Sequence, residues 1–110
     1  MKQQNSILAI VICTYNRNEL LEQCLESLLQ QNGIDQCWSV IVVNNYPIPL
    51  AKNICDLIDR LPGGQKIDVT EPGLSIARNS ALQSVHSEWM AFLDDDARVP
   101  KDYISKIKSL

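Results

Sequence analysis

A chain of 110 residues can bury one hydrophobic core but not two, so a single small domain is expected over residues 1–110. Hydrophobic residues at 45% and charged residues at 21% suit an ordinary globular protein and exclude a disordered tail or a membrane-spanning bundle. A net charge of −3 without any basic stripe argues against a nucleic-acid partner, and Lys101, Lys106 and Lys108 read as the solvated face of a helix.

The first run, residues 7–14 (ILAIVICT), is continuously apolar and β-branched, as a strand buried on both faces should be. Asn16 is the expected N-cap of the following helix, with Glu19 at the capping-box position. Leu20, Leu21, Cys24, Leu25, Leu28 and Leu29 then recur at helical spacing until Asn32-Gly33 stops them. Residues 38–43 (WSVIVV) form a second strand that ends in Asn44-Asn45 and a Pro-rich turn. A helix over 50–61 presents Ile54, Leu57, Ile58 and Leu61, and Pro62-Gly63-Gly64 breaks it. A short third strand over 65–70 leads into the turn Glu71-Pro72-Gly73 and a helix over 74–86, where Ala77, Ser80, Ala81 and Ser84 permit close packing. Residues 88–93 are the fourth strand, and Pro100 suits the first turn of a last helix running to Leu110. Trp38 and Trp89 open strands and read as core residues. The alternation predicts an α/β fold, a Rossmann-like parallel sheet of about four strands sandwiched by helices.

The four cysteines, Cys13, Cys24, Cys37 and Cys55, lack metal-ligand spacing, and Cys13 and Cys24 lie within apolar patterns. No secretory pattern precedes the first strand. The expectation is a reduced cytoplasmic protein, peripheral at most to the inner face of a membrane.

Parallel sheets collect their functional loops at the strand C-termini. Here those loops hold Thr14-Tyr15-Asn16-Arg17, Asn44-Asn45, Glu71-Pro72-Gly73 and Asp94-Asp95-Asp96. Three adjacent carboxylates repel one another unless a proton or a cation intervenes, and oxygen-only donors suit a hard divalent metal such as Mg²⁺ or Mn²⁺. Extended geometry puts Asp94 and Asp96 on one side and Asp95 on the other. Neither GxGxxG nor GxxxxGK[ST] occurs, so dinucleotide oxidoreductases and P-loop NTPases are disfavoured. A nucleoside diphosphate would instead be neutralised by metal on the aspartates, by the helix N-terminus after Gly73 and by Arg78, which shares a face with Ser75. An EF-hand loop is disfavoured by Arg98 and Val99, and a dehalogenase-type phosphatase by Arg98 and by the motif's place on the fourth strand. His86, the single histidine, stands at a helix end, and no nucleophilic triad is visible.

The segments IVICTYNR (10–17), LLEQCLESLLQQ (20–31), VIVVNN (40–45), EPGLSIARNSAL (71–82) and WMAFLDDDARVP (89–100) together resemble, in order and spacing, the N-terminal nucleotide-binding half of inverting family 2 glycosyltransferases of the GT-A fold. The resemblance implies that Thr14, Tyr15 and Arg17 embrace the nucleoside, that Asn44 hydrogen-bonds the base, and that Arg78 lies near the uridine and diphosphate. It implies that Asp94 contacts the ribose and that Asp94 and Asp96, as a DxD pair, hold a divalent metal. The partner implied is a nucleotide sugar, a UDP-sugar foremost, with an acceptor that could be saccharide, lipid or protein.

Cys13 stands where the family usually has proline, and Asn44 where it usually has aspartate, which leaves the reading of uracil open. The family's acceptor-binding half and catalytic base follow the DxD by many tens of residues, whereas this chain ends fourteen residues after Asp96. The expectation is therefore a hexosyltransferase-type parent whose 110-residue portion binds donor but does not transfer sugar. One alternative is a non-catalytic nucleotide-binding or regulatory module completed by a partner chain, including a homo-oligomer through an exposed sheet edge. The other is a Mg²⁺-dependent phosphoryl-transfer domain.

Overall fold

A computed structural model describes residues 7–32, 37–71 and 73–109. The elements run β1 (Leu8–Thr14), α1 (Asn18–Leu29), β2 (Trp38–Asn44), α2 (Lys52–Arg60), β3 (Gln65–Asp68), α3 (Leu74–Ser84), β4 (Trp89–Phe92) and α4 (Tyr103–Lys108). Gly33, Pro72 and Leu110, three of the predicted helix and turn boundaries, lie outside the described residues.

The four strands form one parallel sheet in the order β3-β2-β1-β4. β1 pairs β2 from Leu8 opposite Trp38 to Thr14 opposite Asn44, so these two strands finish level. On its other side β1 pairs β4, from Leu8 opposite Trp89 to Val11 opposite Phe92. The chain steps outward through β2 to β3, then returns past β1 to place β4. Right-handed crossovers running in opposite directions put their helices on opposite faces. Accordingly α1 and α2 cover one face and α3 the other.

Side-chain alternation along β1 supplies both cores. Leu8, Ile10 and Ile12 face Leu21, Cys24, Leu25 and Leu28 of α1, Ile54 and Ile58 of α2, and Ile104 of α4. Ala9 and Val11 face Ala77 and Ala81 of α3, with Ile41, Val43 and Val69 completing that layer. The central strands are buried throughout except for a half-buried Cys13, which explains why they carry no polar alternation. Burying a Leu or Ile side chain contributes about 2 kcal/mol, so the α1 side of the sheet dominates cohesion.

Three local expectations change. Helix α1 begins at Asn18 with Arg17 as its N-cap and no side-chain capping bond, because Asn16 adopts a left-handed turn with φ 54°. Asparagine tolerates that conformation better than most residues. Helix α2 starts two residues later than its apolar pattern suggests, with Ala51 as its extended N-cap residue. Trp38 is buried, but Trp89 is 68% exposed. It opens β4 at the edge of the sheet, and no described element covers its outer flank. Among the described residues no helix is long and apolar enough to cross a membrane.

Candidate functional site

The strand order reverses between β1 and β4, and the loops leaving those strands diverge to open a crevice at their C-terminal ends. A cavity of about 550 Å³ occupies that position. Six of the seven residues proposed for binding line it: Thr14, Tyr15, Arg17, Arg78, Asp94 and Asp96. They come from two separate loops and a helix, so only the sheet brings them together.

Strand β4 stops pairing after Leu93, whose N–H donates to the Val11 carbonyl at 2.9 Å. The aspartates then form a turn closed by the Ala97 N–H on the Asp94 carbonyl at 3.1 Å. The turn separates their environments. Asp94 and Asp96 are exposed at the cavity, whereas Asp95 is buried. Its carboxylate accepts from the Thr14 hydroxyl at 2.9 Å and from the Arg17 guanidinium at 3.1 Å. Downstream, Ser27 of α1 and Gln31 just beyond its end receive the Val99 and Ile104 N–H groups and tie this segment to the helix.

Asn44 is the exception among the predicted site residues. It is buried outside the lining of the main cavity, beside a smaller space of about 110 Å³ bordered by Asn16 and Tyr46. Both Nδ2 protons are engaged, by the Ile48 carbonyl and the Asp68 carboxylate, each at 3.1 Å, and Oδ1 accepts the Tyr46 N–H at 3.2 Å. Its neighbour Asn45 does line the cavity. The Asn45 amide donates to the Val69 and Glu71 carbonyls at 3.2 and 2.7 Å and accepts the Gly73 N–H at 3.0 Å. That bond fixes Gly73, at φ 130°, immediately before α3. Such a backbone favours glycine.

Sequence reasoning gave Asn45, Asp95 and Phe92 no site role. Asp95 had a signal in the alternation that turned it away from its neighbours. Nothing local marks Asn45 or Phe92, whose ring lies 5.3 Å beneath the Arg78 guanidinium in a cation–π contact. Tyr15 meets Tyr46 edge-to-face at 5.0 Å, leaving Tyr15 more than half exposed at the rim. His86 is exposed and outside the cavity lining.

The cavity floor is electrostatically negative. Burial, then the Asp95, Asp96 and Asp94 charges, push the Cys24 thiol from 9.0 up to about 12. Burial also raises the Cys13 thiol, opposed by the Arg78 charge, with Asp95 adding the least. Cys24 is thus protonated in the fold. Between pH 9.0 and about 12 the unfolded chain loses this proton first, so stability falls as pH rises through that window. At pH 8, Cys24 is expected to resist alkylation while the exposed Cys37 reacts. Peptide mass mapping after brief iodoacetamide treatment checks this, and comparable labelling of the two would contradict it.

The donor set suits a hard divalent cation. Asp94 has no hydrogen bond or ion pair to its carboxylate among the described residues, and Asp96 has only a loose 3.7 Å contact to Arg17. The described residues offer no group of three or more His, Cys, Asp or Glu ligands. Two carboxylates are nevertheless what Mg²⁺-type sites use when substrate phosphates and water complete the shell.

The family profile described as Glycosyl transferase family 2 matches residues 9–109. The succinoglycan biosynthesis protein ExoM of Rhizobium meliloti (strain 1021) is 34% identical over 104 residues, which is 89% of this chain and 32% of that protein. TarS of S. aureus, solved in complex with UDP, superposes at a TM-score of 0.80 with 20% identity, over 93% of this chain and 31% of that one. The mannosyltransferase PcManGT from Pyrobaculum calidifontis, solved with GDP-Man and Mn²⁺, superposes at 0.68 with 24% identity, over 94% and 32%. The chain thus spans about a third of each of these three proteins. Below 25% identity the structural likenesses establish the fold, a GT-A type Rossmann-like sheet. With the profile spanning nearly all its residues, the chain belongs to glycosyl transferase family 2.

Proposed function

We propose that this cavity binds the nucleoside diphosphate of a sugar donor, a UDP-sugar foremost, with Mn²⁺ or Mg²⁺ held by Asp94 and Asp96, for inverting transfer of the sugar to an acceptor hydroxyl. The observation that carries the reading is the convergence of Thr14, Tyr15, Arg17, Arg78, Asp94 and Asp96 on one cavity at the strand-order reversal. The UDP bound to TarS and the GDP-Man and Mn²⁺ bound to PcManGT agree with that ligand class.

Each residue has a physical task. The exposed Tyr15 ring offers a stacking face to the base. Asp94 accepts from ribose hydroxyls as well as holding the cation. Arg78, fixed over Phe92, places positive charge beside the diphosphate. Backbone N–H groups at the start of α3 face the same anion. A bound divalent cation supplies Lewis acidity that stabilises the departing diphosphate. The acceptor hydroxyl attacks the anomeric carbon from the side opposite the diphosphate, its proton going to a carboxylate base. Asn44 bears on base preference indirectly, because its engaged amide shapes the loop carrying Tyr46.

Calorimetric titration of UDP and GDP, with Mn²⁺ and with EDTA, tests the proposal. UDP binding that weakens at least about tenfold, roughly 1.4 kcal/mol, in EDTA and in Asp94→Ala/Asp96→Ala is expected. Unchanged binding in that variant would remove the cation assignment. Failure of either nucleotide to bind at millimolar concentration would remove the nucleotide site itself.

A further inference from the structure

Asp95 differs from its two neighbours in burial and in partners. Both of its oxygens are engaged, one by Thr14 and one by Nη1 of Arg17. Arg17 forks: its Nη2 also reaches toward Asp96, but at 3.7 Å, with both side chains about half exposed at 48% and 49%. The short arm ends on a buried carboxylate and the long arm on a solvated one. Water and salt screen the second contact far more than the first.

The charge balance turns on this fork. Asp95 and Arg17 neutralise each other, leaving the two exposed carboxylates, Asp94 and Asp96, with a combined charge that one divalent cation matches. An arginine is permanently protonated, so only geometry can keep it from pairing with a neighbouring carboxylate. Were Arg17 to close fully onto Asp96, it would neutralise that oxygen donor and repel an incoming cation.

We infer that Asp95 is a positioning residue that retains the Arg17 guanidinium and so keeps Asp96 available, beside Asp94, to a divalent cation. Buried at the cavity wall, Asp95 acts through Arg17 and, by the Thr14 bond, locks the end of β1 to the turn after β4. The inference rests on the proposed assignment of the cation to Asp94 and Asp96.

Titration of the chain with Mn²⁺ alone, read from the electron paramagnetic resonance signal of the free ion, tests it. Asp95→Asn preserves shape and can still accept from Thr14, but loses the charge that retains Arg17. It should weaken Mn²⁺ binding about tenfold, the scale of one displaced charge near a protein surface. Adding Arg17→Gln to that variant should return binding to within about threefold of wild type, because the competing cation is gone. A purely structural role for Asp95 predicts the opposite, a double variant no better than the single one. Arg17→Gln alone, with Asp95 intact, should not weaken Mn²⁺ binding, and this arm decides the question if Asp95→Asn does not fold.

Unchanged Mn²⁺ affinity in Asp95→Asn, no recovery in the double variant, or weakened binding in Arg17→Gln would each overturn the inference alone. No Mn²⁺ binding by the wild type, or undiminished binding by Asp94→Ala/Asp96→Ala, would overturn the cation assignment and the inference with it.

Discussion

Asn45→Ala is expected to lower stability by about 2 kcal/mol, chiefly from the buried Val69 carbonyl left without a partner, and to weaken UDP binding by the folded fraction as well. The substitution leaves the backbone bond from the residue 45 N–H to the Thr14 carbonyl but removes three side-chain bonds, to Val69, Glu71 and Gly73. The amide is buried, so water replaces those partners only in part. The functional consequence comes through Gly73. Without its acceptor the turn at φ 130° loosens, and with it the start of α3 and the placement of Arg78. Asn45→Asp should be at least as damaging, since it keeps the acceptor for Gly73 but sets a carboxylate against two carbonyl oxygens. Urea denaturation monitored by tryptophan fluorescence reads the first effect, and calorimetry with UDP and Mn²⁺ at low denaturant reads the second. A wild-type midpoint for Asn45→Ala would show that this amide does not hold the two loops together.

Gly64→Ala should cost about 3 kcal/mol for a different reason, and without touching the site. A Cβ at residue 64 would stand 1.8 Å from the Ile58 carbonyl oxygen and 2.8 Å from its carbon. These are backbone atoms in the last turn of α2, where the Ile58 carbonyl also accepts the Leu61 N–H at 3.1 Å. No rotamer change relieves such a contact. Either the end of α2 or the start of β3 must move, disturbing Ile58 and Leu61 in the main core. The cavity lies at the opposite, C-terminal end of the sheet, so UDP affinity of the folded fraction should match wild type. Loss of stability with preserved binding is the expected pair of results. A normal denaturation midpoint would mean that the α2–β3 connection is looser than its packing indicates.

The two variants separate what holds the scaffold from what shapes the site. Gly64 shows close approach of backbone to backbone within one crossover. Asn45 shows two loops joined by one side chain, which is why its loss should register in both stability and binding.

Local chemistry alone determined much of this protein. The unbroken apolar runs of β1 and β2 announced strands buried on both faces, and the leucine spacing of α1 announced its buried face. Alternation of strand and helix dictated a parallel sheet, and a parallel sheet dictated that Thr14, Asn44, Gly73 and Asp94 end up at one edge. Those inferences work because period and hydrophobicity are properties of neighbouring residues. Tertiary structure decided the rest, because it depends on partners distant in the chain. Asp95 is distinguished from Asp94 and Asp96 only by Thr14 and Arg17, far earlier in sequence. Asn45, rather than Asn44, lines the cavity because the β3–α3 loop folds back over it. Trp89 is exposed because β4 lies at the sheet edge, a fact of strand order that no apolar pattern records. Residue types set which groups reach the strand ends; only the packing of loops across β1 and β4 decided which carboxylate is buried against Arg17 and which two face the cavity.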